Sequence, residues 1–290
     1  MVFNPDSDIS GGRTSKRGRN TGIAIGGGGG LVVLALILFS AFTGVDLTGL
    51  SGLVDDTGTN SGAVSEPLAG CETGADANAR VECLMKGGAA SLDAYWSTEA
   101  AEIGVDYTPP ADVILFTEAT STGCGNATSA VGPFYCPADQ TIYLDVAFFE
   151  DLRTKYGSTG GTLAELYVLA HEWGHHIQNL SGTLAAGQDG DTGPDSAGVK
   201  VELQADCFAG AWVGSAATTT DENGVTFLEP ITDQQLADAL SAAEAVGDDR
   251  IQGGQANPET WTHGSSAERQ NWFVTGYNDG AAACDTGLGL

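Results

Sequence analysis

Basic side chains are scarce. The 290 residues hold 11 Lys and Arg against 38 Asp and Glu, a formal net charge of −27. That deficit argues against a nucleic-acid partner, which calls for basic patches facing the phosphates. Charged residues are only 17% of the chain, so the acidity reflects missing Lys and Arg and reads as a solvated surface. Histidine is rarer still, with four residues. No Cys-x-x-Cys pair occurs, which removes a zinc-ribbon reading. Glycine, by contrast, is abundant at 42 residues, beside 42% hydrophobic residues and five Trp. Collagen-like and wholly disordered chains fail on that balance.

The few basic residues are placed unevenly. Arg13, Lys16, Arg17 and Arg19 form a basic head within residues 1–20. Behind it, TGIAIGGGGGLVVLALILFSAFTG (residues 21–44) meets no charge before Asp46. A helix needs about 20 apolar residues to cross the hydrocarbon core, so a transmembrane helix is expected over 21–43. The basic head then predicts a cytoplasmic N-terminus and a single-pass cell-membrane protein with an extracellular or periplasmic body. A cleaved signal peptide is the rival, weakened by a poor small-residue cleavage pattern. Residues 44–68, rich in Gly, Ser, Thr and Asp, read as a flexible linker. Residues 69–290 are long enough for one sizeable core. Nothing in the pattern sets an oligomeric state.

All six cysteines follow the apolar run, an even number that suits disulfides in an exported domain. Six cysteines allow 15 pairings, and sequence alone selects none. Proximity favours Cys71–Cys83 and Cys124–Cys136, which leaves Cys207–Cys284.

Periodicity gives a coarse map. Apolar residues at helical spacing predict a helix over 79–102, broken at Gly87-Gly88. DVILFT (112–117) reads as a buried strand, 121–138 as loop, and QTIYLDV (140–146) as a strand with one wetter face. Residues 162–180 form a strong helix candidate, with a capping box expected from Thr162 and Glu165. Further helices are expected over 197–214, from Thr232 to about Val246, and over 265–277.

The chemistry sits on two of these helices. In His171-Glu172-Trp173-Gly174-His175 the two histidines are i and i+4, on one helix face a turn apart. Two imidazoles so placed can bind one zinc ion. Glu172 is rotated about 100° from His171, so it flanks the metal and is placed to take a proton from an activated water. His176, five positions from His171, points away from that face. The HExxHxxGxxH pattern fails, because Gln178 and Ser181 stand where Gly and His are needed. Glu202 and Asp206 on the next helix are again i and i+4. Glu202 can supply the third, carboxylate ligand, and Asp206 can accept the outer N–H of a metal-binding imidazole. His263 is a candidate oxyanion donor, Tyr143 another, and Arg269 reads as an ion-pair partner.

HExxH followed by ExxxD on a later helix resembles the gluzincins, the thermolysin-like zinc peptidases. The strings GPFYCPADQTIYLD, HEWGHHIQ, VELQADCFAGAW and HGSSAERQNWF resemble the bacterial neutral zinc metallopeptidase family over about residues 70–285. The resemblance implies a zincin-like α+β fold, mainly helical with a small sheet, behind the N-terminal membrane helix. It implies His171, His175 and Glu202 as Zn2+ ligands, Glu172 as general base, and QTIYLD at the rim of the cleft. A substrate peptide or protein would pair with that edge. The expected function is a membrane-anchored zinc metallopeptidase with Glu172 and His263 as catalytic residues. The alternative is a non-catalytic, zinc-stabilised envelope binding protein, which has no need of Glu172.

Overall fold

The computed structural model describes residues 2–18, 65–253 and 256–289. Strand β1 (Thr14–Arg17) is followed by β2 (Ser65–Pro67), α1 (Gly74–Ala79), α2 (Val81–Glu102) and β3 (Asp112–Phe116). A hairpin of β4 (Ala119–Thr122) and β5 (Gly125–Thr128) leads to β6 (Phe134–Cys136) and β7 (Thr141–Asp145). The rest is helical: α3 (Phe148–Thr154), α4 (Thr162–Ser181), α5 (Ala197–Ala216), α6 (Asp233–Ala245), α7 (Asp248–Ile251) and α8 (Ser266–Asp279). The fold is thus mainly helical α+β and zincin-like, with a small sheet in the order β2-β1-β3-β7-β6. β1, β3 and β7 are parallel, whereas β2 and β6 run antiparallel at the edges.

The main core lies between the sheet and helices α2, α4 and α5, with Trp96, Trp173 and Trp212 fully buried. A smaller core of Ile114, Phe116, Cys136 and Tyr143 occupies the other face of the sheet. The Cys124–Cys136 disulfide joins the β4–β5 hairpin to this face. All five residues of β7 are therefore buried, and the expected wetter face is absent. The segment read as loop over 121–138 holds this hairpin and β6. The disulfides are Cys71–Cys83, Cys124–Cys136 and Cys207–Cys284, as proximity suggests.

Two local expectations need correction. α2 runs unbroken through Gly87-Gly88. A methyl at Gly87 would come within 2.9 Å of the Phe3 ring, and one at Gly88 within 2.7 Å of Leu166. Tertiary packing fills the space that glycine leaves and outweighs its poor helix propensity. At α4 the N-cap is Gly161, with no side-chain cap, so the Thr162–Glu165 box does not form.

The membrane topology is also corrected. Among the described residues, no helix is long and apolar enough to cross a membrane. The expected span over 21–43, and most of the expected linker, lie outside the described residues. What overturns the single-pass arrangement is the N-terminal segment itself. Val2, Phe3 and Ile9 are fully buried in the main core. β1 pairs with β3 inside the sheet, and Arg17 faces Ser65 across the β1–β2 ladder. A single crossing would put these partners on opposite sides of a bilayer. Two residues of the basic head are engaged internally: Lys16 lies 3.1 Å from Glu82, and Arg17 sits 5.6 Å from the Tyr143 ring centroid while bonding Ser65 and the Ser121 carbonyl. The cytoplasmic N-terminus and the membrane partner are withdrawn with that arrangement.

Phe3 tests this integration. Phe3→Ala should cost about 3–5 kcal/mol, the usual range for emptying a buried aromatic site. Urea unfolding checks it, and a loss below about 1 kcal/mol would mean that the N-terminal segment is dispensable.

Candidate metal centre

Helices α4 and α5 supply the centre. One face of α4 buries Leu163, Leu166, Ala170 and Ile177, which fixes its rotation and turns His171 and His175 toward the cleft. Gly174 brings the helices together, because a methyl there would lie 2.9 Å from Ala205 Cα. Glu202 thereby meets both histidines. Its Oε2 is 3.2 Å from His171 Nε2, and its Oε1 is 3.5 Å from His175 Nε2. One ligand atom from each residue lies within 4.8 Å of the others.

The outer nitrogens are held as well. His171 Nδ1 donates to Asp206 Oδ1 at 2.9 Å, and His175 Nδ1 donates to Gln178 Oε1 at 2.8 Å. Both Nε2 atoms are thus left as lone-pair donors toward the triad. Two imidazole nitrogens and a carboxylate oxygen are the ligand set of a catalytic zinc site. Glu172 lies beside them, buried, and its Oε2 has no hydrogen-bond partner. A zinc ion fits this donor set.

Asp206 is wholly buried and heavily bonded. Beyond His171 it accepts from the Tyr167 hydroxyl at 2.5 Å, from Arg269 Nε at 2.7 Å and from Arg269 Nη2 at 3.0 Å. Arg269 is thus the ion-pair partner the sequence suggests, and its Nη1 also bonds the Val246 carbonyl. Burial alone would raise the Asp206 carboxyl, but Arg269 and then His171 outweigh it and hold it below 3.8. Burial raises Glu172 above the ordinary 4.5, and the neighbouring histidines offset only part of that rise.

His263 reaches the same cleft, a cavity of about 660 Å³ that also exposes Glu172, His171, His175 and Glu202. Its Nδ1 faces Asp248 Oδ1 at 3.2 Å and Thr262 Oγ1 at 3.0 Å. Asp248 Oδ2 accepts from the backbone N–H groups of Thr262, His263 and Gly264, which anchors the pair. Burial opposes the Asp248 charge, yet His263 and these N–H groups hold the carboxyl low. Sequence reasoning missed Asp248, because its partners stand 14 to 16 residues away and no local pattern marks them.

Tyr143 is not at the cleft. It points to the far face of the sheet, where its hydroxyl donates to Asp139 at 2.7 Å. The strand at the rim is also different from the one expected. β7 lies inside the sheet between β3 and β6, and β6 forms the edge, with Phe134 and Tyr135 lining the cleft. His176 is fully buried, donates from Nε2 to the Thr108 carbonyl at 2.7 Å, and accepts from the Tyr135 hydroxyl at 3.0 Å. It therefore braces β6 against the helix that carries the ligands.

Residues 5–287 match the family model described as "Putative neutral zinc metallopeptidase". The chain belongs to this zinc metallopeptidase family. It is 52% identical over 224 residues to an uncharacterized protein of Mycobacterium tuberculosis, covering 76% of this chain and 75% of the relative. An uncharacterized protein of Escherichia coli is 36% identical over 272 residues, covering 90% and 87% respectively. No solved structure matches. With the HExxH…E triad assembled, the chain is a zinc-dependent hydrolase of the peptidase type, with Zn2+ as its cofactor.

Zinc should raise the thermal midpoint and a chelator lower it, because an ion that binds the native state stabilises it. His175→Ala should abolish that response in differential scanning calorimetry. Arg269→Met, which leaves Asp206 buried without its counter-charge, should cost about 3–5 kcal/mol near pH 7. A depressed carboxyl stabilises the fold fully above its unfolded value and loses that contribution as pH falls through the folded one. Parent stability in urea should therefore decline below about pH 4.

Proposed function

We propose that the cleft hydrolyses peptide bonds of peptide or protein substrates, with Glu172 as general base and His263 as the donor to the developing oxyanion. The observation that carries this reading is Glu172: a buried carboxylate beside the ligand triad, with one oxygen left without a partner. A buried carboxylate is costly in a binding protein and useful in a hydrolase. Zinc in such a site supplies Lewis acidity, polarising the scissile carbonyl and making hydroxide available near neutral pH.

The chain's own residues do the rest. Glu172 Oε2 takes a proton from the attacking water and returns it to the leaving amine. His263 is aimed by Asp248 so that Nε2 is the nitrogen free to face substrate. In the doubly protonated ring, with Nδ1–H on Asp248, Nε2–H donates to the attacked carbonyl oxygen and stabilises the charge there. Asp206 orients His171 through Nδ1. The β6 edge offers backbone groups to an extended substrate, which fits a peptide better than a compact amide.

Glu172→Gln should lower kcat about 10²- to 10⁴-fold on a diverse peptide mixture while zinc content stays at parent level. Cleavage persisting in that variant would sink the proposal. His263→Ala should reduce kcat with little change in KM, and Asp248→Asn should give a smaller loss in the same direction.

A further inference from the structure

The two histidine ligands are oriented by different chemistry. His171 leans on a carboxylate, but His175 leans on a neutral amide, and that amide is the near end of a longer chain. Gln178 is fully buried. Its amide nitrogen donates one hydrogen to the Val201 carbonyl at 2.7 Å and the other to Gln204 Oε1 at 3.1 Å. Gln204, also fully buried, donates its two amide hydrogens to the Cys284 carbonyl at 3.0 Å and the Gly289 carbonyl at 3.1 Å. Its Oε1 accepts from Gln178 and from the Thr183 hydroxyl at 3.2 Å.

The direction of this chain is forced. Backbone carbonyls only accept, so the NH₂ of Gln204 must face Cys284 and Gly289. Its oxygen then faces Gln178, whose NH₂ must in turn face Gln204 and Val201. The Gln178 oxygen is left pointing at His175, where it can only accept. His175 must therefore carry its proton on Nδ1 and present a lone pair from Nε2. A reversed amide at either position would set acceptor against acceptor in a buried site, a costly arrangement.

We infer that Gln178 and Gln204 are positioning residues that fix the tautomer and direction of His175, and that the C-terminal segment sets their orientation. The Cys207–Cys284 disulfide fastens that segment to α5, one residue after Asp206. Metal retention is thereby coupled to chain residues that lie outside the cleft. The inference rests on His175 as a zinc ligand.

The test is the rate of zinc release to an excess of a coloured chelator, read on the zinc-loaded full chain. Gln178→Leu should speed release about 10- to 100-fold, the usual penalty for losing an outer partner of a metal ligand. Gln204→Leu and truncation after Gly287 should shift it the same way by smaller factors. Ser91→Ala is the control for mere destabilisation, since it removes a buried bond to Trp212 and leaves the relay alone. Its release rate should stay within about twofold of the parent. Nitrogen NMR of the zinc-loaded parent should show the His175 proton on Nδ1. Release rates at the parent level in both Leu variants, or the proton on Nε2, would overturn the inference. Where Gln178→Leu fails to fold, an unchanged rate in the truncated chain would do so alone. A zinc-loaded parent that cleaves no peptide would defeat the proposed function and leave these rates readable, so the two ideas fail separately.

Discussion

A carboxylate taken wholly out of water must be surrounded by donors, and Asp206 has four of them. The Tyr167 hydroxyl, His171 Nδ1 and two nitrogens of Arg269 converge on its two oxygens. These groups come from α4 and α8 and Asp206 itself from α5, so one buried charge sets the relation of three helices. Without Arg269 the desolvation cost of Asp206 would exceed what a histidine and a tyrosine return. Without Asp206, Arg269 would be a stranded cation and His171 would lose its direction. The ligand triad is thus the exposed tip of an ion-pair network whose base lies in the core.

How far this could be read from sequence depended on distance along the chain. The His171/His175 and Glu202/Asp206 pairs lie at helical spacing, and helical spacing is a local property that composition cannot disguise. Arg269 could be read as an ion-pair partner, but its partner Asp206 lies 63 residues earlier and no pattern links them. Asp248 and Gln204 stayed hidden because their roles come only from partners that the fold delivers, whereas Gln178 stands at i+3 from His175. The edge role passed from β7 to β6 because strand order is fixed by pairing, which the alternation of side chains does not encode.

Four basic residues before an apolar run look alike whether they face a cytoplasmic headgroup layer or the acidic body of their own protein. Here the body is so short of cations that Lys16 and Arg17 are taken up by Glu82, Ser65, Tyr143 and the hairpin carbonyl of Ser121. Charge scarcity, the first feature of the sequence, already held the clue: a domain with a large acidic excess is a natural partner for its own basic end.

The integration of that end has a consequence for biosynthesis. Phe3 forms a bridge with Leu228, and β1 waits for β3 some hundred residues later. These residues are therefore made long before their partners. Until residue 228 emerges, Val2, Phe3 and Ile9 have no completed core to enter, and loop closure over such distances is slow. A nascent chain must keep these apolar side chains idle while helices α1 to α5 are made. Holdase chaperones acting on emerging chains should therefore raise the yield of folded protein.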